Sequence, residues 1–510
     1  MKRRAFIRST LAAAAATGAP GCATLSEFAG VRPARGRDVD ALTGDGEEVT
    51  LRASALADLA GRLRGRVLLP GDDGYDAARR IRNPSFDKRP SLIVQATGAA
   101  DVRTAVDFAR ENRGLLLAVK CGGHSASGQS TCDRGLIIDL SPFRDVRVDP
   151  IARRASVTGG SLIGALDHES MPFELVVPLG TVSHTGIGGL VTGGGFGRLA
   201  RRFGLSIDNL VAADVVTADG RFRRASSDDD PDLFWGIRGG GGNFGIVTSF
   251  DFRLHAMQRR VLGGRNTVPM SRARDALELY AEYAPGAPDE LHLDLGMILP
   301  PAGALGMVGF SFCYSGPDAG AEHALAPVRR LGTPLEDTVR PMDYVALQRS
   351  GDVDDPRAQG LYVKSGFISA LTPALITELV ERFEAHPARA TEILFQQSGG
   401  AIARVAPGAT AFPQRDAMAN LLCFVAWRQG EDPAEHVQWI RDYWRGVEPF
   451  THGFYMNDLE RDHTAATIRD NYQSNHERLV AVKNRYDPEN LFRLNANVQP
   501  TGVRQERGAP

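Results

Sequence analysis

The sequence predicts an α+β protein built of two unlike domains. Three observations carry that expectation. Residues from about 60 to 257 alternate short helices with short strands. Residues 258–450 instead set strand-like alternation beside runs of helical periodicity, the pattern of an antiparallel sheet with helices on one face. The length agrees: 510 residues, 43 % of them hydrophobic, make two or three domains at ~100–200 residues each.

Taken in order, residues 25–50 read as polar and irregular, a linker. Asp101 is expected to cap a helix running to about Asn112, with Gly114 stopping it. Leu115–Lys120 is a strand that feeds directly into Cys121-Gly122-Gly123-His124, and Leu136–Leu140 is another. Ser161 is expected to cap a helix to about Ser170. Leu210–Thr217 is a buried strand closed by the Asp219-Gly220 turn. Asp230-Pro231 opens a short helix, with proline at its first position. From Phe244 to Leu254 apolar residues alternate, so this segment is a half-buried strand. In the second region Leu291–Met297 and Val308–Cys313 alternate as antiparallel strands, while Thr372–Ala385 and Pro433–Arg445 are helical. Residues 500–510 read as a frayed end.

Composition excludes several functions. Lys+Arg number 59 against 61 Asp+Glu, a net charge of −2, so there is no basic footprint for nucleic acid. No apolar run reaches the ~18–20 residues of a membrane-spanning helix. Eleven histidines show no metal-ligand spacing, and no metal site is expected. The first 30 residues are an address rather than fold. Lys2-Arg3-Arg4-Ala5-Phe6-Ile7 followed by an alanine-rich stretch resembles a twin-arginine export signal, and implies a periplasmic or extracellular protein. Cys22, after small residues, is a candidate lipid anchor. Five cysteines do not make a disulfide framework. Cys121 and Cys132 flank one loop, as a pair or as two separate core residues; Cys313 and Cys423 read as core.

Glycine is the anomaly, with 56 residues, well above the usual ~7 %. Three clusters fall in the first domain: Gly122-Gly123 with Gly128; Gly186, Gly188 and Gly189 with Gly193–Gly197; and Gly239–Gly245. Loops of this kind bring several backbone N–H groups to a diphosphate, and three of them suggest an extended groove for a large dinucleotide. The alternative is a set of tight turns packed on one another. Gly240-x-Gly242-x-x-Gly245 fits the Rossmann fingerprint only formally, because it follows a helix and opens a strand.

The stretches Lys120–Gly128, Pro178–Gly197, Arg238–Val247, Phe412–Arg415 and Tyr486–Asn495 resemble, in order, the motifs of the berberine-bridge-enzyme-like FAD-linked oxidases of the vanillyl-alcohol-oxidase superfamily. The resemblance spans roughly residues 65–500. It implies a two-part PCMH-type FAD-binding domain plus an α+β substrate domain with an antiparallel sheet covered by helices. The implied boundaries are a signal at 1–30, a linker at 31–60, the FAD domain at 61–257, the substrate domain at 258–450, and a C-terminal segment at 451–500 returning to the FAD domain.

The resemblance also implies roles. His124 stands where family members bond their flavin covalently through a ring nitrogen to the 8α carbon. Val182 stands where many carry a second, cysteine link, so a single link is expected. Gly122, Gly123, Ser125, Gly128, Thr185, Gly186, Gly188, Gly189, Gly194, Gly195, Gly197, Gly245, Ile246, Val247 and Asn495 are the implied FAD contacts. Thr185, the size of a valine beside the flavin C4a, favours dioxygen as the acceptor. A base must take a proton as hydride leaves the substrate. Tyr455 is the first candidate and Asp458 the second, against packing for Tyr455 and a turn role for Asp458. Arg415 binds an anionic substrate, steadies the N1 charge of the reduced flavin, or is a structural ion pair; His184, Gln396 and Gln397 are candidate substrate contacts. The implied activity is oxidation of a C–H bond next to an O–H or N–H group of a small molecule, with hydrogen peroxide as product. A dehydrogenase of the same build, or a flavin- or sugar-binding protein without turnover, are the alternatives.

Overall fold

A computed structural model describes residues 36–301, 305–353, 357–459 and 463–502. The residues read as an export signal, Cys22 and the end of the tail lie outside the described residues. The first domain is built on two main sheets. One runs Arg66–Leu68, Leu92–Gln95, Leu136–Asp139, Leu117–Lys120, and its last three strands are parallel. The other is antiparallel, ordered Phe222–Ser226, Leu210–Val216, Ile246–Arg253, Arg154–Thr158, Val146–Asp149.

Three local expectations are corrected. The 31–60 linker is not a linker throughout: Val39–Leu42 and Glu48–Leu51 form a hairpin, and Ala53–Arg62 is a helix that buries Leu56, Leu59 and Ala60. The polar residues of this stretch are largely exposed, which hides the hairpin from a reading of composition. Asp101 does not cap its helix, which begins at Ala99. Its buried carboxylate accepts the backbone N–H groups of Arg64, Gly65 and Thr97, tying the preceding loop to the first turn. Ser161 likewise stands before a helix that starts at Ile163 with no side-chain cap; its hydroxyl instead donates to the Asp145 carbonyl.

The second domain is one antiparallel sheet, with Glu336–Asp337, Arg260–Pro269, Met307–Tyr314, Leu291–Leu299, Arg389–Gln397, Ala419–Arg428 and Gln359–Ile368 in spatial order. Alternation decides its faces. Ile393 and Phe395 of one strand, with Leu421, Cys423 and Val425 of the next, bury against the helices Ala273–Tyr283, Pro373–Glu381 and Ala434–Val447. Gln396, Asn420 and Phe367 therefore face the other way, toward the first domain, where Phe367 packs with Phe196 and Phe412. Thr372 caps its helix by accepting from Leu375 N–H. Among the described residues no helix is long and apolar enough to cross a membrane.

The C-terminal stretch packs back on the first domain through a buried cation. Lys483 is fully buried; its ammonium donates to Asp487, at 2.7 Å, and to the carbonyls of Asn243 and Phe492. Asp487 in turn accepts from Leu491 and Phe492 N–H. Lys483→Met is expected to strand a buried carboxylate and cost about 3–5 kcal/mol, measured as a lowered unfolding midpoint.

Candidate active site

A groove runs between the two sheets of the first domain. The strand Leu117–Lys120 and the strand that begins at Ile246 form its walls, and all three glycine loops open into it. Gly122, Gly123, His124 and Ser125 line it from the first loop; Thr185, Gly186, Gly188 and Gly189 from the second; Gly245, Ile246 and Val247 from the third. The C-terminal stretch closes it with Met456, Asn457 and Asn495. The first two loops touch backbone to backbone. A Cβ on Gly186 would stand 2.3 Å from Gly122 N and 2.5 Å from Cys121 Sγ, so no other residue fits there.

Four of the expected glycine contacts lie off the groove wall. Gly128 turns against Phe86, Gly197 is packed on the Leu179 carbonyl, and Gly195 faces Ser206. Gly194 packs against Tyr455 and Phe412. Gly194, Gly195 and Gly197 thus serve close packing beneath the second loop, and Gly128 serves the packing of the first loop on Phe86. Cys121 and Cys132 are both free thiols; Cys121 donates to the Ser161 carbonyl and Cys132 points into the parallel sheet.

The surroundings of His124 disfavour its charged form. Burial pushes its imidazole down to about 3, with Arg82 and His184 adding to the shift. Its Nε2 lies 2.7 Å from His184 Nδ1 and its Nδ1 lies 3.4 Å from Thr185 Oγ1. His184 does not line the groove; its ring meets that of His124 at 4.7 Å between centroids. His184 is expected as a substrate contact; the structure shows it in contact with His124.

The two candidate bases separate clearly. Tyr455 is 4 % exposed and its hydroxyl oxygen already accepts Gly195 N–H at 2.9 Å, Phe196 N–H at 3.3 Å and Asn457 Nδ2 at 2.7 Å. Burial and the Asp458 charge push the phenol well above its ordinary range. Tyr455 thus locks the second loop to the C-terminal stretch and has no free lone pair for a substrate proton. Asp458 directly follows groove-lining Asn457. Burial pushes its carboxyl up to about 7, opposed by a 2.9 Å hydrogen bond from Asn420 Nδ2. The same Asn420 amide donates to Gln396 Oε1 at 2.8 Å. Sequence reasoning missed Asn420, since an asparagine inside an apolar strand carries no local signal.

The remaining candidates are structural. Arg415 is 1 % exposed and makes a two-pronged ion pair with Asp208 at 2.8 and 2.9 Å, so no cationic edge is left for an anion. Gln397 points to the helix side, accepting from Leu293 N–H and donating to the Ala284 carbonyl.

The groove suits FAD. It is lined by the backbone of several glycines and presents Asn495 Oδ1 as a buried acceptor without a partner.

Comparison with known proteins points the same way. An "FAD binding domain" family matches residues 90–226 and a "Berberine and berberine like" family matches residues 462–499. The chain is 30 % identical to an FAD-linked oxidoreductase of Dictyostelium discoideum over 86 % of its own length and 95 % of that protein's. It is also 30 % identical to the (R)-6-hydroxynicotine oxidase of Paenarthrobacter nicotinovorans, over 86 % and 98 % of the two chains. The solved xylooligosaccharide oxidase of Myceliophthora thermophila, in complex with xylobiose, superposes with a TM-score of 0.78 at 25 % identity, covering 88 % of this chain and 99 % of that one.

Proposed function

This chain belongs to the berberine-bridge-enzyme-like FAD-linked oxidoreductases, and from that membership we propose that it is an oxidase removing hydride from a carbon that bears an O–H or N–H group, with dioxygen reduced to hydrogen peroxide. FAD bound in the groove supplies the hydride acceptor. The chain's own residues do the rest. The glycine loops hold the diphosphate, Asn495 Oδ1 offers an acceptor, and His124 makes the single covalent link, since Val182 has no sulfur. Asp458 takes the substrate proton, steadied by Asn420.

One observation carries this reading. A carboxyl raised to about 7 directly follows Met456 and Asn457 of the groove wall. The Asp458 side chain itself lies off that wall, against Asn420 on the inward face of the second sheet, and a carboxyl so raised supports a base for neutral pH there. The test is a panel of sugars, alcohols and amines given first without air and then with it. Bleaching of the flavin followed by stoichiometric peroxide supports the oxidase. Bleaching with no peroxide means a dehydrogenase, and no bleaching with any compound favours a binding protein.

Thr185 lines the groove and supports oxygen access by its small size. Thr185→Ile is expected to slow reoxidation by air on the order of tenfold, about 1.4 kcal/mol of barrier, with little change in anaerobic bleaching; stopped-flow absorbance separates the two steps. We further propose, from Arg3-Arg4 and the residues after them, that the protein is exported already folded; cell fractionation checks it.

A further inference from the structure

The contact between His124 and His184 is unused by the chemistry of turnover. His184 is absent from the groove wall, and its Nδ1 reaches His124 Nε2, the ring edge turned away from Thr185. His124 Nδ1 is therefore the nitrogen turned toward the groove. The loop behind is anchored: Asp352 accepts both the N–H, at 2.8 Å, and the hydroxyl of Ser183. His184 Nε2 is buried without a partner. A histidine pair with one outward and one inward edge is an arrangement for moving a proton away from a nucleophile.

We propose that His184 is the positioning residue and proton acceptor for covalent attachment of FAD to His124, with the bond made at Nδ1. This rests on His124 being the attachment point. His124 carries its proton on Nε2, donated to His184 Nδ1. Its Nδ1 lone pair forms the bond to the flavin 8α carbon as one C–H bond of the 8α methyl breaks and the Nε2 proton passes to His184. The isoalloxazine takes up the electron pair and both protons, and dioxygen, the acceptor in turnover, removes them as hydrogen peroxide. The charge that passes through His184 faces the Asp352 carboxylate and is opposed by the Arg82 guanidinium. The neutral state of His124, favoured by its burial, keeps the nucleophile available.

The test adds FAD to full-length apoprotein in air and follows the adduct by intact mass and by colour in the acid-precipitated protein. Wild type should form the adduct and His124→Ala should not. His184→Ala and His184→Gln should bind FAD, seen in the visible spectrum before denaturation, yet form the adduct about 10²-fold more slowly or worse, the scale of a lost proton acceptor. Free imidazole should restore the rate in His184→Ala, which a purely structural role would not allow. The flavin peptide should show linkage at Nδ1. Adduct formation at the wild-type rate in His184→Gln, or linkage at Nε2, overturns the inference while leaving His124 as the attachment point. An adduct in the His124→Ala protein, or none in wild type, removes the attachment reading and this inference with it.

Discussion

Asp458→Asn is expected to lower kcat by about 10²–10⁴-fold, the usual contribution of a positioned base, while FAD remains bound. The substitution keeps the shape and the Asn420 neighbour but removes the proton acceptor. The pH profile provides the sharper reading. Only the ionised carboxylate accepts a proton, and burial has raised the group to about 7. Wild-type kcat/KM should therefore be low at pH 6, rise through about 7 and level off above it. Loss of the Asn420 hydrogen bond, which favours the charged form, should move that limb to higher pH in Asn420→Ala. Tyr455→Phe provides the contrast. It removes an oxygen that accepts three N–H donors, so flavin affinity and stability should fall while the pH limb stays in place. A limb that vanishes in Tyr455→Phe and survives in Asp458→Asn would reverse the assignment.

His124→Ala is expected to change the flavin from protein-bound to free on denaturation. Wild-type protein precipitated with acid should give a yellow pellet; the variant should give a colourless pellet and a yellow supernatant. Two alternative attachment points are excluded on physical grounds. Val182 cannot form a thioether. Cys121 also lines the groove, but burial pushes its thiol up to about 11, so the nucleophilic thiolate is scarce at neutral pH. A pellet still yellow in His124→Ala and colourless in the Cys121→Ala, His124→Ala double variant would move the link to sulfur. Removing the tether should also lower the flavin potential, measurable by dye equilibration, because an electron-withdrawing substituent leaves the ring.

Much of this site was legible because it is local. Tight glycine loops announce themselves in the chain, since backbone contact such as that between Gly122 and Gly186 tolerates no side chain. The groove accordingly lies where three glycine clusters were read, with His124 in its wall. Strand alternation was legible for the same reason: period two is a property of neighbours in sequence. The errors were local too, but of another kind. Asp101 looked like a cap because Asp favours helix starts, yet the Arg64 and Gly65 N–H groups, 37 and 36 residues earlier, claimed its carboxylate.

The sequence by itself determined the α+β build, the glycine loops, the histidine at their centre and the lack of sulfur at Val182. Tertiary structure alone decided which polar side chains are already paired. Arg415 is spent on Asp208, 207 residues away; Tyr455 is spent on Gly195, 260 residues away; His184 is turned onto His124, 60 residues away. A side chain's role follows from which groups compete for its lone pairs and protons and from how much water remains around it. Both are set by long-range packing, and neither is written in the residues beside it.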